Sequence, residues 1–138
     1  MIVDTSALLA ILLVEPEAQR FADAIAAAES PRLPASCFLE ASITLLARHR
    51  EDGLRDLDLL LARSHMEIAP LGENHARLAR DAFRRFGKGR HQACLNFGDC
   101  MAYALAKETG EELLFKGTDF GQTDVGVASY RAGQWQTA

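Results

Sequence analysis

Apolar residues recur in two ways along this chain, as short β-type runs and at three-to-four-residue helical spacing, and the alternation between them outlines its elements. Ile2-Val3 is a brief strand that ends in Asp4 and leads through Thr5-Ser6 into the apolar stretch 7–14, which reads as strand, tight turn and helix. Glu15-Pro16-Glu17 suits the start of a second helix, reaching about residue 28, because proline is tolerated in a first turn and acids there face the positive end of the dipole. Residues 30–34 carry two prolines and read as a linker, and Ser36 is placed to cap a third helix running to about Arg50. Gly53 interrupts the pattern, after which Leu54, Leu57, Leu60 and Leu61 define a fourth helix ending near His65. A short strand over 66–69 follows, then an amphipathic helix over 73–86 and the glycine-punctuated loop Gly87-Lys88-Gly89-Arg90-His91. Residues 96–109 form a helix closed by Gly110, Leu113-Leu114-Phe115 a buried strand, and 125–130 a last one.

Short strands separated by helices predict an α/β fold with a central, mostly parallel sheet of four to five short strands flanked by helices. Ligands in such sheets bind outside the carboxyl ends of the strands. Asp4 ends the first strand and Asp119 lies just past the strand at 113–115, so the two are expected to face one crevice.

Composition narrows the class. The chain has 138 residues, 49% hydrophobic and 25% charged, the balance of a water-soluble domain, and 1–138 is expected to form one domain. The stretch 7–14 is too short to span a bilayer and follows no basic segment, so no membrane association and a cytoplasmic location are expected. Cys37, Cys94 and Cys100 fit neither a disulfide framework nor a zinc site, and the four histidines lack zinc spacing. The formal net charge is −4, yet residues 77–91 hold six bases against the single acid Asp81, a local balance of +5 that leaves −9 elsewhere. That strip suits phosphate contacts in one place and serves equally as a solvated helix face.

Three acids stand apart. Glu40 sits in the apolar stretch 36–43 with no base three or four residues away, so it either reaches solvent as part of a polar stripe or has its charge offset by something else. Asp99 follows Asn96 at capping-box spacing, and Asp4 can cap the helix after Ser6; each has a structural role available as well as a chemical one. Together, carboxylates from separate elements meeting at strand ends would hold a hard cation such as Mg²⁺, which takes one or two protein carboxylates and leaves positions for a phosphate. Neither a phosphate-binding Gly-rich loop with Lys-Ser/Thr nor a Gly-x-Ser-x-Gly elbow competes with that reading.

The order and spacing of several segments carry a family resemblance: Met1-Ile2-Val3-Asp4-Thr5-Ser6-Ala7-Leu8, the helix bearing Leu39-Glu40, Phe86-Gly87-Lys88-Gly89-Arg90-His91, and above all Leu95-Asn96-Phe97-Gly98-Asp99-Cys100, then 102–106 and 113–117. Over essentially the whole chain the sequence resembles the PIN-domain toxins of the VapC type, from bacterial type II toxin–antitoxin pairs. The resemblance implies a PIN-like fold and a Mg²⁺- or Mn²⁺-dependent endoribonuclease acting on RNA. It further implies a homodimer and a small VapB-type antitoxin that occludes the acidic site. The family's first acid falls on Asp4, its helical glutamate on Glu40 and its third acid on Asp99, with Asp4 and Asp99 as metal ligands, Asn96 in support, and Thr5 or Ser6 as the hydroxyl beside the first acid.

The late strand departs from the family pattern. Many PIN domains carry a fourth acid two residues after a threonine there, whereas this chain has Phe115-Lys116-Gly117, so Asp119 is the expected replacement and Asp124 the weaker one. Arg85, Lys88, Arg90 and Lys116 are the expected RNA contacts, with exposed surface as their ordinary role. Two other functions share these acids, a metal-dependent phosphohydrolase of small phosphoesters and a catalytically silent protein-binding module. The first lacks the Asp-x-Asp nucleophile pair, since Thr5 and Ser6 follow Asp4, and the second fits poorly with three principal acids present.

Overall fold

Ile2 and Val3 are fully buried, which places their strand, β1 (Ile2–Val3), inside the molecule with both faces covered. In the computed structural model, which describes residues 1–128, β1 pairs in parallel with β2 (Arg32–Pro34) on one side and β4 (Leu113–Leu114) on the other. β3 (Glu67–Ala69) extends the sheet beyond β2, giving the order β3-β2-β1-β4 with every pairing parallel. The helices α1 (Thr5–Leu12), α2 (Ala18–Ala27), α3 (Ala35–Ser64), α4 (Glu73–Phe86) and α5 (Phe97–Thr109) make the connections that parallel neighbours require.

Four sequence-based expectations need correction, the first at the start of α3, where Pro34 and not Ser36 stands at the N-cap. The linker over 30–34 contains β2, because Leu33 is fully buried and a proline ends the strand instead of interrupting its ladder. The break in the long helical region falls at Arg50, which takes left-handed φ (55°), while Gly53 lies inside the helical segment that follows. Gly53 matters for another reason: a Cβ there would stand 2.6 Å from the Leu45 carbonyl oxygen, so the two limbs of α3 approach backbone to backbone across the bend. The last strand is reduced to a single parallel bridge between Leu113 and Val127; residues 129 and 130 of that expected strand lie outside the described residues.

The buried apolar residues form one cluster. α5 runs through it with Cys100, Ala102, Tyr103, Ala104, Leu105 and Ala106 all buried, and its alanines let α4 and the sheet approach closely. The start of α5 is thereby fixed relative to the carboxyl end of β1. Glu111, just before β4, is held against the Met1 amino group at 2.7 Å and against Arg32, tying the opposite ends of β1 and β2 together.

Candidate active site

The site begins where β1 hands over to α1. Asp4 is the N-cap of α1, with extended backbone, and its Oδ2 accepts hydrogen bonds from the Ser6 N–H (3.0 Å) and the Ser6 hydroxyl (2.6 Å). The Asp4 N–H donates to the Leu114 carbonyl of β4 at 2.9 Å, so β4 helps to locate this carboxylate. Ser6 Oγ in turn accepts from the Lys116 N–H at 2.9 Å. Asp4 is only 4% exposed, and burial, reinforced by the Asp99 and Glu40 charges, pushes its pKa up to about 6 despite the Ser6 hydrogen bonds.

Glu40 reaches the same place from the first limb of α3. Thr5 Oγ1 donates to Glu40 Oε1 at 2.6 Å, so the two hydroxyls after Asp4 serve different acids, Ser6 the first and Thr5 the second. Gly98 makes room for the rest of the carboxylate, since a Cβ at that position would stand 2.8 Å from the Glu40 carboxyl carbon. The capping role available to Asp99 is realised: its N–H donates to Asn96 Oδ1 (2.9 Å) and its Oδ2 accepts from the Asn96 N–H (3.0 Å). Burial, followed by the charges of Glu40 and Asp119, raises the Asp99 pKa against that backbone hydrogen bond. Asp119 is exposed just before the short 3₁₀ turn Phe120–Gln122, close enough for its charge to act on Asp99.

Asp4, Glu40 and Asp99 therefore lie in mutual electrostatic reach, and Asp119 lies in reach of Asp99. Among the described residues none of the four has a lysine, arginine or histidine at ion-pair distance. Four carboxylates with no base between them repel one another, and a divalent cation relieves that repulsion. No group of three or more Asp, Glu, His or Cys side chains among the described residues is arranged to hold a metal ion. Mg²⁺ does not need one, because it is held through one or two carboxylates and keeps several waters, so the hard oxygen donors here fit such an ion.

Asp124 points its charge elsewhere. It accepts from the Tyr103 hydroxyl at 2.5 Å and pairs with Arg85 and Lys107, both at 3.4 Å, which holds its carboxyl below the usual range although partial burial opposes this. Arg85 also pairs with Asp81 at 3.6 Å and lies over the Phe86 ring. Lys116 pairs with Glu15 and Glu17. Lys88 and Arg90 are exposed without an ion pair among the described residues, on a loop closed by hydrogen bonds between Lys88 and Leu95 and between Leu95 and Phe86.

Sequence reasoning missed Cys37 and Gly98. Cys37 Sγ lies 3.9 Å from Asp4 Oδ1, and burial together with the Asp4 charge pushes its thiol up to about 12, so it is a neutral neighbour of the acid and not a nucleophile. Its position one turn before Glu40, facing the core, was the available signal. Gly98 is set inside the segment that carries the family resemblance, but only the fold brings Glu40 against it.

The chain matches the PIN domain family over residues 1–126. It is 44% identical over 129 residues to the VapC ribonuclease Mb0640 of Mycobacterium bovis, covering 94% of this chain and 98% of that protein. Identity is 46% to the ribonuclease VapC of Mycolicibacterium smegmatis, covering 91% of this chain and 97% of the relative, and 48% to the ribonuclease VapC28 of Mycobacterium tuberculosis, covering 91% and 95%. Among solved structures, VapBC2 from Rickettsia felis bound to a promoter DNA fragment superposes with a TM-score of 0.72 at 12% identity, covering 91% of this chain and 94% of that one, a likeness of fold. A parallel sheet whose carboxyl edge gathers acids from three helices and one late loop, on a sequence this similar, places the chain in the PIN domain family among its VapC-type members.

Proposed function

We propose that this chain is the toxin of a type II toxin–antitoxin pair, a cytoplasmic endoribonuclease that hydrolyses RNA phosphodiester bonds at the acidic site with Mg²⁺, or Mn²⁺ in its place. One observation carries the reading: Asp4, Glu40 and Asp99 come from three separate elements to one sheet edge and meet there without a basic partner. The relatives' ribonuclease names support RNA as the substrate, and the VapBC neighbour supports a small VapB-type antitoxin that occludes the site. A homodimer is the expected assembly, with 1–138 as one domain.

Asp4 and Asp99 would hold the cation, with Asp119 completing its surroundings. The bound ion supplies positive charge for the phosphoryl oxygens and acidifies water. Ser6 fixes the Asp4 carboxylate and is itself fixed by the Lys116 N–H. Thr5 occupies Glu40 Oε1 and leaves Oε2 to take a proton from the attacking water.

Asp4→Asn and Asp99→Asn should each lower RNA cleavage by about 10²-fold or more, and Glu40→Gln by roughly 10²- to 10⁴-fold, with circular dichroism unchanged. Mg²⁺ should raise the melting temperature of the native protein and not that of Asp99→Asn. Cleavage at native rates by both aspartate variants would remove the site from the reaction. Release of inorganic phosphate from small phosphoesters with RNA left intact would instead favour a phosphohydrolase.

A further inference from the structure

Phe97 opens α5 two residues before Asp99, and its ring is 81% exposed. A phenyl ring left in water at the rim of a polar site forgoes a large burial gain, so it marks a surface that something else covers. On one side of the ring is a hollow of about 150 Å³ shared with Ser36, Leu39, Glu40, Ile43 and Gly98. On the other is a larger groove of about 460 Å³, floored by Ala79, Phe83 and Met101 and edged by Arg80, Arg84 and Arg90.

The charge around the larger groove says what fits. The groove's edge is cationic: Arg84 has only Asp81, at 3.8 Å, and Arg80 and Arg90 have no carboxylate at ion-pair distance among the described residues. Guanidinium groups bordering an apolar floor suit the phosphates of a single strand whose bases lie on the floor.

Resting on the ribonuclease reading above, we infer that Phe97 is a stacking platform for an unpaired base next to the scissile phosphate, with Arg80 and Arg90 holding the neighbouring phosphates. Phe97 is thus a positioning and specificity-determining residue. The acids cut, and the ring selects which unpaired base is presented to them. Sequence preference then arises from bases splayed out of a loop or single strand, as RNA recognition usually requires.

The test couples ring and base. In a non-cleaving Asp4→Asn background, binding of a short single-stranded RNA spanning a mapped cleavage site is followed by fluorescence anisotropy, with each nucleotide in turn made abasic. Removing one particular base should weaken binding by roughly 5- to 100-fold, Phe97→Ala should cause a similar loss on intact RNA, and the two changes together should cost little more than either alone. Phe97→Trp should restore the affinity and Phe97→Leu should not. A full abasic penalty in Phe97→Ala, or native affinity in Phe97→Leu, would overturn the assignment. If Phe97→Ala instead changes the oligomeric state by sedimentation and leaves the abasic penalty intact, the ring belongs to an interface between copies and the RNA subsite is wrong. Cleavage of RNA by the otherwise native protein without any coupling sinks the subsite alone, whereas no cleavage of any transcript with Mg²⁺ sinks the ribonuclease reading and the subsite with it.

Discussion

Asp4 shows how a single residue is made both costly and useful. It is buried, faces two other carboxylates, and keeps only neutral hydrogen bonds, so its pKa rises from the ordinary 3.8 to about 6. The folded state therefore binds the proton more tightly than the unfolded chain. Its contribution to stability is fully present below about pH 3.8 and lost as pH climbs through about 6, a cost on the order of 3 kcal/mol at neutrality. Without divalent cation, Asp4→Asn should melt higher than the native protein at pH 7.5, with the difference vanishing below about pH 4 in thermal denaturation. Mg²⁺ should stabilise the native protein more at pH 7.5 than at pH 5; an advantage of Asp4→Asn that does not vary with pH would contradict the burial argument. Gly98 makes the complementary point. The obstacle to a Cβ there is the movable end of Glu40, and alanine is the better helix former, so Gly98→Ala should leave the melting temperature unchanged or slightly raised. It should nevertheless reduce kcat by about 10- to 100-fold, because it displaces a carboxylate that Thr5 holds in place.

The same substitution in α3 has the opposite sign. At Gly53 the nearest atom to a new Cβ is the Leu45 carbonyl oxygen, 2.6 Å away, which moves only if the two limbs of α3 separate. Gly53→Ala should cost about 1–3 kcal/mol despite its helix propensity, read as a melting temperature lower by several degrees with kcat per folded molecule retained. The pattern along the chain revealed that glycine as a break because it cannot distinguish a glycine that ends a helix from one required by close approach. The turn is made at Arg50, whose type gives no hint of left-handed backbone. β2 was hidden for a similar reason. Ser30, Pro31 and Pro34 are turn-forming residues, and only the pairing of Arg32, Leu33 and Pro34 with Glu67, Ile68 and Ala69, and of Arg32 with Ile2, makes the segment a strand. The long helices α4 and α5, with their periodic faces and the Asn96–Asp99 cap, were legible because everything that defines them lies within a few residues.

Across the whole molecule, charge is arranged as local sequence suggests in some places and against it in others. The acids at the sheet edge were visible because each sits at a telling position in its own element: the end of a strand, an apolar helix face, a cap. The bases were harder to sort, since whether a base is available for RNA depends on partners far away in the chain. Arg85 is engaged by Asp124 and Lys116 by Glu15 and Glu17, contacts that no reading of neighbouring residues anticipates. Lys88 and Arg90 remain exposed on the closed loop that follows α4. With the body of the chain acidic, those two and Arg80 on the neighbouring groove carry the approach of a polyanion, and Arg85, Lys88, Arg90 and Lys116 should separate in a salt titration. Lys88→Ala and Arg90→Ala should each flatten the slope of log affinity for single-stranded RNA against log salt by about 0.7, the release of one counterion. Arg85→Ala should leave that slope unchanged while lowering stability, because Asp124 loses one of its two cations, and Lys116→Ala should likewise leave RNA binding intact. A slope that falls equally for all four would mean that their ion pairs open on contact with RNA and that the basic strip acts as one surface, with the pairs at Asp124 and at Glu15 serving only to hold it until substrate arrives.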